Sequence, residues 1–157
     1  MLGLNIDPET KLNELGLSLP VSPKPVASYI PTVIVSDLLF TSGTLPFKDG
    51  KVVYVGKMGE NPVEVGYEAS KLATLNSLSA VKDSIGDLSK IKRIVKVTGY
   101  VNSSKGFTDQ PKVINGASDL LVSVFGEAGK HVRSAIGVAE LPLNALVEIE
   151  FVYQLVS

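Results

Sequence analysis

The chain has 157 residues, which is enough for one domain and leaves little room for a second. Apolar residues make up 45% and charged residues 20%, and a net charge of −1 without a basic stripe argues against a nucleic-acid or anionic-lipid surface. The absence of cysteine excludes disulfides, thiolate nucleophiles and thiolate metal sites, and a single histidine argues against an imidazole metal centre.

The N-terminal region predicts a short helix followed by a linker. Asp7 is a capping residue, and Pro8 suits the first turn of a helix. Three prolines within residues 17–25 predict an extended segment. We therefore separate an N-terminal helix and linker, residues 1–24, from a main domain formed by residues 25–157.

The main domain begins with β-rich runs at residues 29–35 and 38–42, which predict a hairpin because only Ser36 and Asp37 separate them. The residues at 48–51 form a turn signal with Asp-Gly at its centre. A short strand is expected after this turn, at residues 52–55.

The clearest helix follows these strands. Asn61 is predicted to cap it, Pro62 to occupy its first turn, Glu64 to lie at N3 and Gly86 to end it. Between these ends, apolar residues recur at helical spacing: Val65, Ala69, Leu72, Leu75, Leu78, Val81 and Ile85.

A strand and a second helix come next. Residues 91–101 alternate, so that Ile94 and Val97 are predicted to lie on opposite faces. The pattern from about residue 109 to about residue 125 predicts an amphipathic helix. Its apolar stripe consists of Val113, Ile114, Ala117, Leu120, Leu121, Val124 and Phe125.

Two alternating strands close the chain, at residues 132–139 and 146–155. We assign Val132 and the apolar residues in phase with it to the core. This assignment places Arg133 on the uncovered face, beside three small residues, where Glu148 is also expected.

The order of elements predicts an α+β domain with one mixed sheet and both long helices on one of its faces. The other face carries apolar groups. Because a small domain buries such a face against another subunit, we expect an oligomer.

Arg133 is the strongest candidate for a binding residue. A guanidinium group binds a carboxylate with two parallel hydrogen bonds, so a small carboxylate-bearing metabolite is the expected ligand. The alternative is that Arg133 forms a structural ion pair with a glutamate at a subunit interface.

Residues 133–142, RSAIGVAELP, followed by VEIE at 147–150, resemble the C-terminal signature of the YjgF-type family. This family is also called Rid, for reactive intermediate deaminase, and its members were formerly labelled L-PSP endoribonucleases. Tyr29, residues 39–43 and Asn115 match in the same order, and the resemblance extends from about Pro25 to the C-terminus.

The resemblance implies a chorismate-mutase-like α+β fold, here with an N-terminal helical extension, and a homotrimer with three clefts between subunits. It implies hydrolysis of 2-imino acids or their enamine tautomers to 2-oxo acids and ammonia, as in 2-iminobutanoate/2-iminopropanoate deaminases. It implies that neither a cofactor nor a metal takes part.

The resemblance also implies roles for individual residues. Arg133 would hold the substrate carboxylate, and Glu148 would position or activate the attacking water. The remaining matched positions would shape the cleft or contact the substrate: Tyr29, Gly43, Asn115 and Ser134.

Several alternatives stay open. The chain differs from the archetype at Glu140, where a basic residue is common, and at Gly137, which replaces a larger group. A non-catalytic trimer that binds small carboxylates is the alternative function. Tyr29 as a strand-edge aromatic, Asn115 as a locally bonded helix residue and His131 as an incidental loop residue are the alternative interpretations of those side chains.

The remaining expectations concern partners and location. The net charge argues against ribonuclease activity, which is the third hypothesis. No apolar run is long enough to span a membrane, and the first residues lack the pattern of a signal peptide, so we expect a cytoplasmic protein.

Overall fold

The computed structural model describes residues 6–22, 24 and 28–157. Part of the expected linker, and the residues just after its predicted end, lie outside these ranges. The helices and strands follow in chain order: α1 (Pro8–Glu14), β1 (Thr32–Val35), β2 (Leu38–Thr41), β3 (Phe47–Lys48), β4 (Lys51–Val52), α2 (Val63–Ile85), β5 (Ile91–Asn102), α3 (Gln110–Phe125), β6 (Val132–Val138) and β7 (Val147–Leu155).

Five strands form one mixed sheet in the order β1-β2-β7-β5-β6, and β3 pairs with β4 in a separate ribbon. Strands β5 and β6 are parallel, whereas the other neighbouring pairs are antiparallel. Helices α2 and α3 pack against each other and against one face of the sheet. The predicted α+β class with both long helices on one face is confirmed.

The turn between β3 and β4 has the backbone geometry that its sequence predicts. Asp49 and Gly50 both have positive φ, 52° and 77°, which is the geometry of the tight hairpin turn that Asp-Gly favours. The strand after this turn is shorter than predicted and ends at Val52. Further along, Val55 makes only an isolated bridge with Ala145.

Helix α2 begins two residues later than its predicted cap. Pro62 occupies the N-cap position, and none of the described side chains caps this end of the helix. The prediction that Asn61 caps α2 was wrong, because its side-chain amide donates instead to the Lys57 carbonyl oxygen at 2.9 Å. Gly86 ends the helix with φ of 86°, as predicted.

Strand β5 does not keep a single alternation. Its register with β7 shifts between Ile91 and Arg93 and again between Ile94 and Lys96. These irregularities turn Ile94 toward the core, so Ile94 and Val97 are both fully buried although they are three positions apart, an odd spacing that would place them on opposite faces of a regular strand. The prediction that they lie on opposite faces was wrong.

Strand β6 has its faces the other way round from the prediction. Its parallel pairing places Arg133 opposite Val97, which is buried under the helices. Val132 and Ile136 point to the open side, where they are 65% and 46% exposed. Arg133 therefore lies on the helix-covered face of the sheet and not on the open face.

Helix α1 packs on the domain rather than standing apart from it. Leu12 is only 2% exposed and belongs to the same apolar core as the sheet and the long helices. Glu9 also forms an ion pair with Lys82 of α2. The division of the chain at residue 24 stays a prediction.

The open face of the sheet carries exposed apolar side chains, as expected: Val33, Val35, Phe40, Val132 and Ile136. In a monomer they would be in contact with water. None of the helices in the described ranges has the length and apolar character that crossing a membrane requires. The cytoplasmic location stays a prediction.

Candidate functional site

The two residues expected to act on substrate lie on opposite faces of the sheet. Arg133 is in register with Val97, which is buried under the helices. Glu148 is in register with Tyr100, which faces the open side. The expectation that Arg133 and Glu148 share the open face was wrong, and within one chain the sheet separates them.

The Arg133 guanidinium is half-buried against α3. Its Nη1 nitrogen donates to Asn115 Oδ1 at 2.8 Å and to Ser118 Oγ at 3.0 Å. Over residues 6–22, 24 and 28–157, neither Nε nor Nη2 has a hydrogen-bond partner, and no carboxylate forms an ion pair with Arg133. The edge formed by Nε and Nη2 therefore keeps its capacity to donate two hydrogen bonds.

His131 belongs to the surroundings of Arg133. Its Nδ1 donates to the Gly129 carbonyl oxygen at 2.7 Å, and its Nε2 lies 2.9 Å from Ser118 Oγ. Burial, and secondarily the charge of Arg133, lower the pKa of His131, while the bond to Gly129 opposes that shift. Sequence reasoning missed Ser118, although its position three residues after Asn115 places both on one helix face.

Glu148 occupies a half-buried position beside Gly43. A Cβ atom on Gly43 would lie 2.3 Å from Glu148 Oε1, so a larger residue at position 43 would displace the carboxyl group from its present position. Burial, and secondarily the charge of Glu150, raise the pKa of Glu148. A raised pKa makes the ionised carboxyl group a stronger base, which favours a role in proton transfer.

Glu148 and Gly43 line a cavity of about 500 Å³. Tyr29 also lines it and is 57% exposed at the cavity mouth. Leu143 contributes an apolar wall from the connection between β6 and β7. A larger cavity of about 960 Å³ lies between residues 17–22 and α2, and it contains none of the predicted site residues.

The predicted site residues thus form two groups. One group is Arg133 with Asn115, and the other is Tyr29, Gly43 and Glu148. Ser134 belongs to neither, because it is exposed on the open face in register with Thr98.

Two residues near the end of β6 differ from the family archetype, and the structure shows what each of them contacts. Glu140 forms an ion pair with Lys57 at 3.5 Å, so its carboxylate already has a cation beside it. Gly137 lies under Gln110 and Ser103, and a Cβ atom there would be 2.8 Å from Gln110 Nε2. A larger residue at this position would require the Gln110 and Ser103 side chains to move.

No three acidic or histidine side chains in the described ranges come together as metal ligands. The chemistry that these residues offer is carboxylate binding by a guanidinium and proton transfer by a carboxyl group.

The chain matches a known protein family over nearly its whole length. Residues 9–155 match the family model described as "YjgF/chorismate_mutase-like, putative endoribonuclease". The chain belongs to the YjgF family. The α+β architecture is accordingly the chorismate-mutase-like fold, and the YjgF match begins within α1.

Individual YjgF relatives cover nearly the whole chain. A Trypanosoma cruzi protein named TCP17 is 41% identical over 92% of this chain and 91% of its own. A Dermatophagoides farinae protein named 2-iminobutanoate/2-iminopropanoate deaminase is 31% identical over 85% of this chain and 91% of its own. A crystal structure of "a putative endoribonuclease" from Shewanella oneidensis has a TM-score of 0.92 and 38% identity, covering 96% of this chain and 100% of that one.

Proposed function

We propose that this YjgF protein is a hydrolytic deaminase of 2-imino acids and their enamine tautomers, which it converts to 2-oxo acids and ammonia. The observation that carries the proposal is the Arg133 guanidinium, which is held by Nη1 while its Nε–Nη2 edge has no partner among the described residues. This edge suits the carboxylate that every 2-imino acid carries. The relative from Dermatophagoides farinae, named as such a deaminase, supports the substrate class.

The separation of the two groups supports an active site shared between copies of the chain. Arg133 and Glu148 face opposite sides of one sheet, so a small substrate cannot reach both in the same chain. The edge strand β6 of one copy can approach the open face of another, and the exposed apolar side chains there would be buried. We propose a homotrimer with three such clefts.

The proposed reaction needs little beyond orientation and one proton carrier. Arg133 fixes the substrate carboxylate, which places the electrophilic iminium carbon in the cleft. Glu148 accepts a proton from water as the water oxygen bonds to that carbon. It then returns the proton to the amine nitrogen of the carbinolamine. As the carbon–nitrogen bond breaks and ammonia leaves, the hydroxyl group gives its proton to Glu148 and becomes the carbonyl of the 2-oxo acid; Glu148 passes this proton to the departing ammonia, which leaves as ammonium.

The activity can be tested by generating 2-iminobutanoate in situ and trapping it with semicarbazide. The protein is expected to accelerate loss of the trappable imine. Arg133→Met should abolish the acceleration, because the carboxylate loses its partner, whereas Arg93→Met should retain it. Arg93 is a matched control, since among the described residues its side chain donates to the Lys130 carbonyl oxygen on the surface and to none of the predicted site residues. An Arg133→Met variant as active as wild type would refute the proposed site.

A hybrid experiment tests the shared cleft. Arg133→Met and Glu148→Gln are each expected to be inactive alone. When the two chains are co-expressed in equal amounts, about one quarter of the clefts should combine an intact Arg133 with an intact Glu148 and recover activity. If both residues acted within a single chain, co-expression would restore nothing.

The alternative is a non-catalytic trimer that binds small carboxylates, and a Lactococcus lactis relative named "Putative regulator AldR", 26% identical, motivates keeping it. Binding of 2-oxobutanoate that survives Glu148→Gln, without imine turnover by wild type, would favour this function. The family description also includes endoribonuclease. RNA cleavage that persists after stringent purification and disappears with Arg133→Met would favour that activity.

A further inference from the structure

Arg133 is held at the end of a directional chain of hydrogen bonds. The Gly129 carbonyl oxygen can only accept, so His131 Nδ1 must carry a proton and donate it. In the neutral ring, Nε2 then has a lone pair that accepts the Ser118 hydroxyl proton across 2.9 Å. The Ser118 oxygen is left with its lone pairs free to accept from Arg133 Nη1 at 3.0 Å.

This chain determines which edge of the guanidinium faces the ligand. Nη1 has two protons, and Asn115 Oδ1 and Ser118 Oγ accept both. The pair of parallel donors that remains is Nε–H and Nη2–H. A carboxylate that binds along this edge receives two hydrogen bonds without displacing an existing one.

We propose that Ser118 and His131 are positioning residues that hold Arg133 with its Nε–Nη2 edge toward the substrate carboxylate. This inference rests on the proposed function, because it concerns how the same site binds its substrate. Asn115 and Ser118 approach from α3, and His131 supports Ser118 from the start of β6.

The charges around His131 agree with this role. Ser118 of α3, the Gly129 carbonyl and Arg133 of β6 are the groups that face it among the described residues, and Arg133 is the charged one. The lowered pKa keeps the ring neutral at neutral pH, which is the form that the directional chain requires. Neutralisation of Arg133 by a bound carboxylate should therefore raise the pKa of His131.

The sole histidine makes a direct test possible. Nitrogen-15 NMR of the wild-type protein should show a neutral ring protonated at Nδ1, and saturation with 2-oxobutanoate should raise its pKa. Arg133→Met should raise the same pKa without ligand. A ring protonated at Nε2, or a pKa that is unchanged by both ligand and Arg133→Met, would overturn the proposed chain.

Kinetics test whether the chain matters for binding. Ser118→Ala should raise KM for the imine about fivefold and leave kcat within about twofold, because one bond that orients Arg133 is lost. Ser118→Thr, which keeps the hydroxyl, should restore most of the loss. His131→Gln keeps an acceptor for the Ser118 hydroxyl group. This variant should therefore bind the imine more tightly than His131→Phe does.

Controls separate this inference from the proposed function. Ser123→Ala makes the same change on an exposed position of α3 and should leave KM unchanged. If wild type shows neither turnover nor 2-oxobutanoate binding, the proposed function fails. If wild type is active and Ser118→Ala behaves like Ser123→Ala, the function stands and the positioning role is refuted. Thermal melts of each variant verify that the fold is retained.

Discussion

Gly43 controls the space available to the Glu148 carboxyl group. Gly43→Ala would place a Cβ atom 2.3 Å from Oε1, so the carboxyl group must rotate away from its present position. We expect imine hydrolysis to fall at least about tenfold, because proton transfer depends on placement to within a fraction of an ångström. Initial rates in the semicarbazide assay measure this effect.

A double variant shows whether Gly43→Ala acts through Glu148. In a Glu148→Gln background, where the proton carrier is already absent, Gly43→Ala should reduce the residual rate little further. Full additivity of the two effects would mean that Gly43 matters for another reason.

Glu150 affects the pH dependence through Glu148. Its negative charge contributes to the raised pKa of Glu148, so Glu150→Gln should lower that pKa. A general base acts in its ionised form, which persists to lower pH when its pKa is lower. The acid limb of the kcat/KM profile should therefore move to lower pH, whereas Glu127→Gln, an exposed control, should leave it in place.

The types of residue at the site could be predicted from the sequence, but their grouping could not. A guanidinium beside small residues indicated carboxylate binding at Arg133. The contact with Ser118 depends on how α3 lies across β6, and strand alternation carries no information about that crossing. The same is true of Gly43 and Glu148, which come together only through pairing of distant segments.

At the scale of elements, α1 provides a test of how the N-terminal region relates to the domain. Leu12 is buried in the common core, so Leu12→Ala should lower the free energy of unfolding by about 2–4 kcal/mol. Leu15→Ala, on the same segment but with Leu15 43% exposed, should cost much less. Equal small costs in urea titrations would mean that α1 is a dispensable appendage.

Helices were easier to predict than strand faces. Periodic apolar residues and a terminal glycine located α2, and the error at Asn61 was confined to its first turn. The faces of β6 were inverted because apolar side chains occur on both sides of this sheet. Val132 was assigned to the core, yet it is 65% exposed and lies on the open face. The alternation of residue types along β5 gives no indication of the register shifts between β5 and β7.

For the whole molecule, the open face is expected to control assembly. Ile136→Lys should leave the isolated fold intact, because this side chain is already 46% exposed, but it should place a charge in the proposed interface. Light scattering should then give the mass of one chain, with loss of imine turnover.

Val53→Lys is the matched control for Ile136→Lys, since Val53 is 45% exposed and lies outside the five-stranded sheet and outside both groups of predicted site residues. It should retain the assembled mass and the activity. A fully assembled Ile136→Lys variant would show that the trimer does not use this part of the open face.

The opposite orientation of Arg133 and Glu148 has a consequence for gene dosage. In the proposed trimer each chain serves two clefts, giving its guanidinium to one and its carboxyl group to the other. A chain that has lost both groups therefore disables two clefts at once, and activity falls as the square of the intact fraction. An organism that carries one doubly defective allele would retain about a quarter of the activity rather than half.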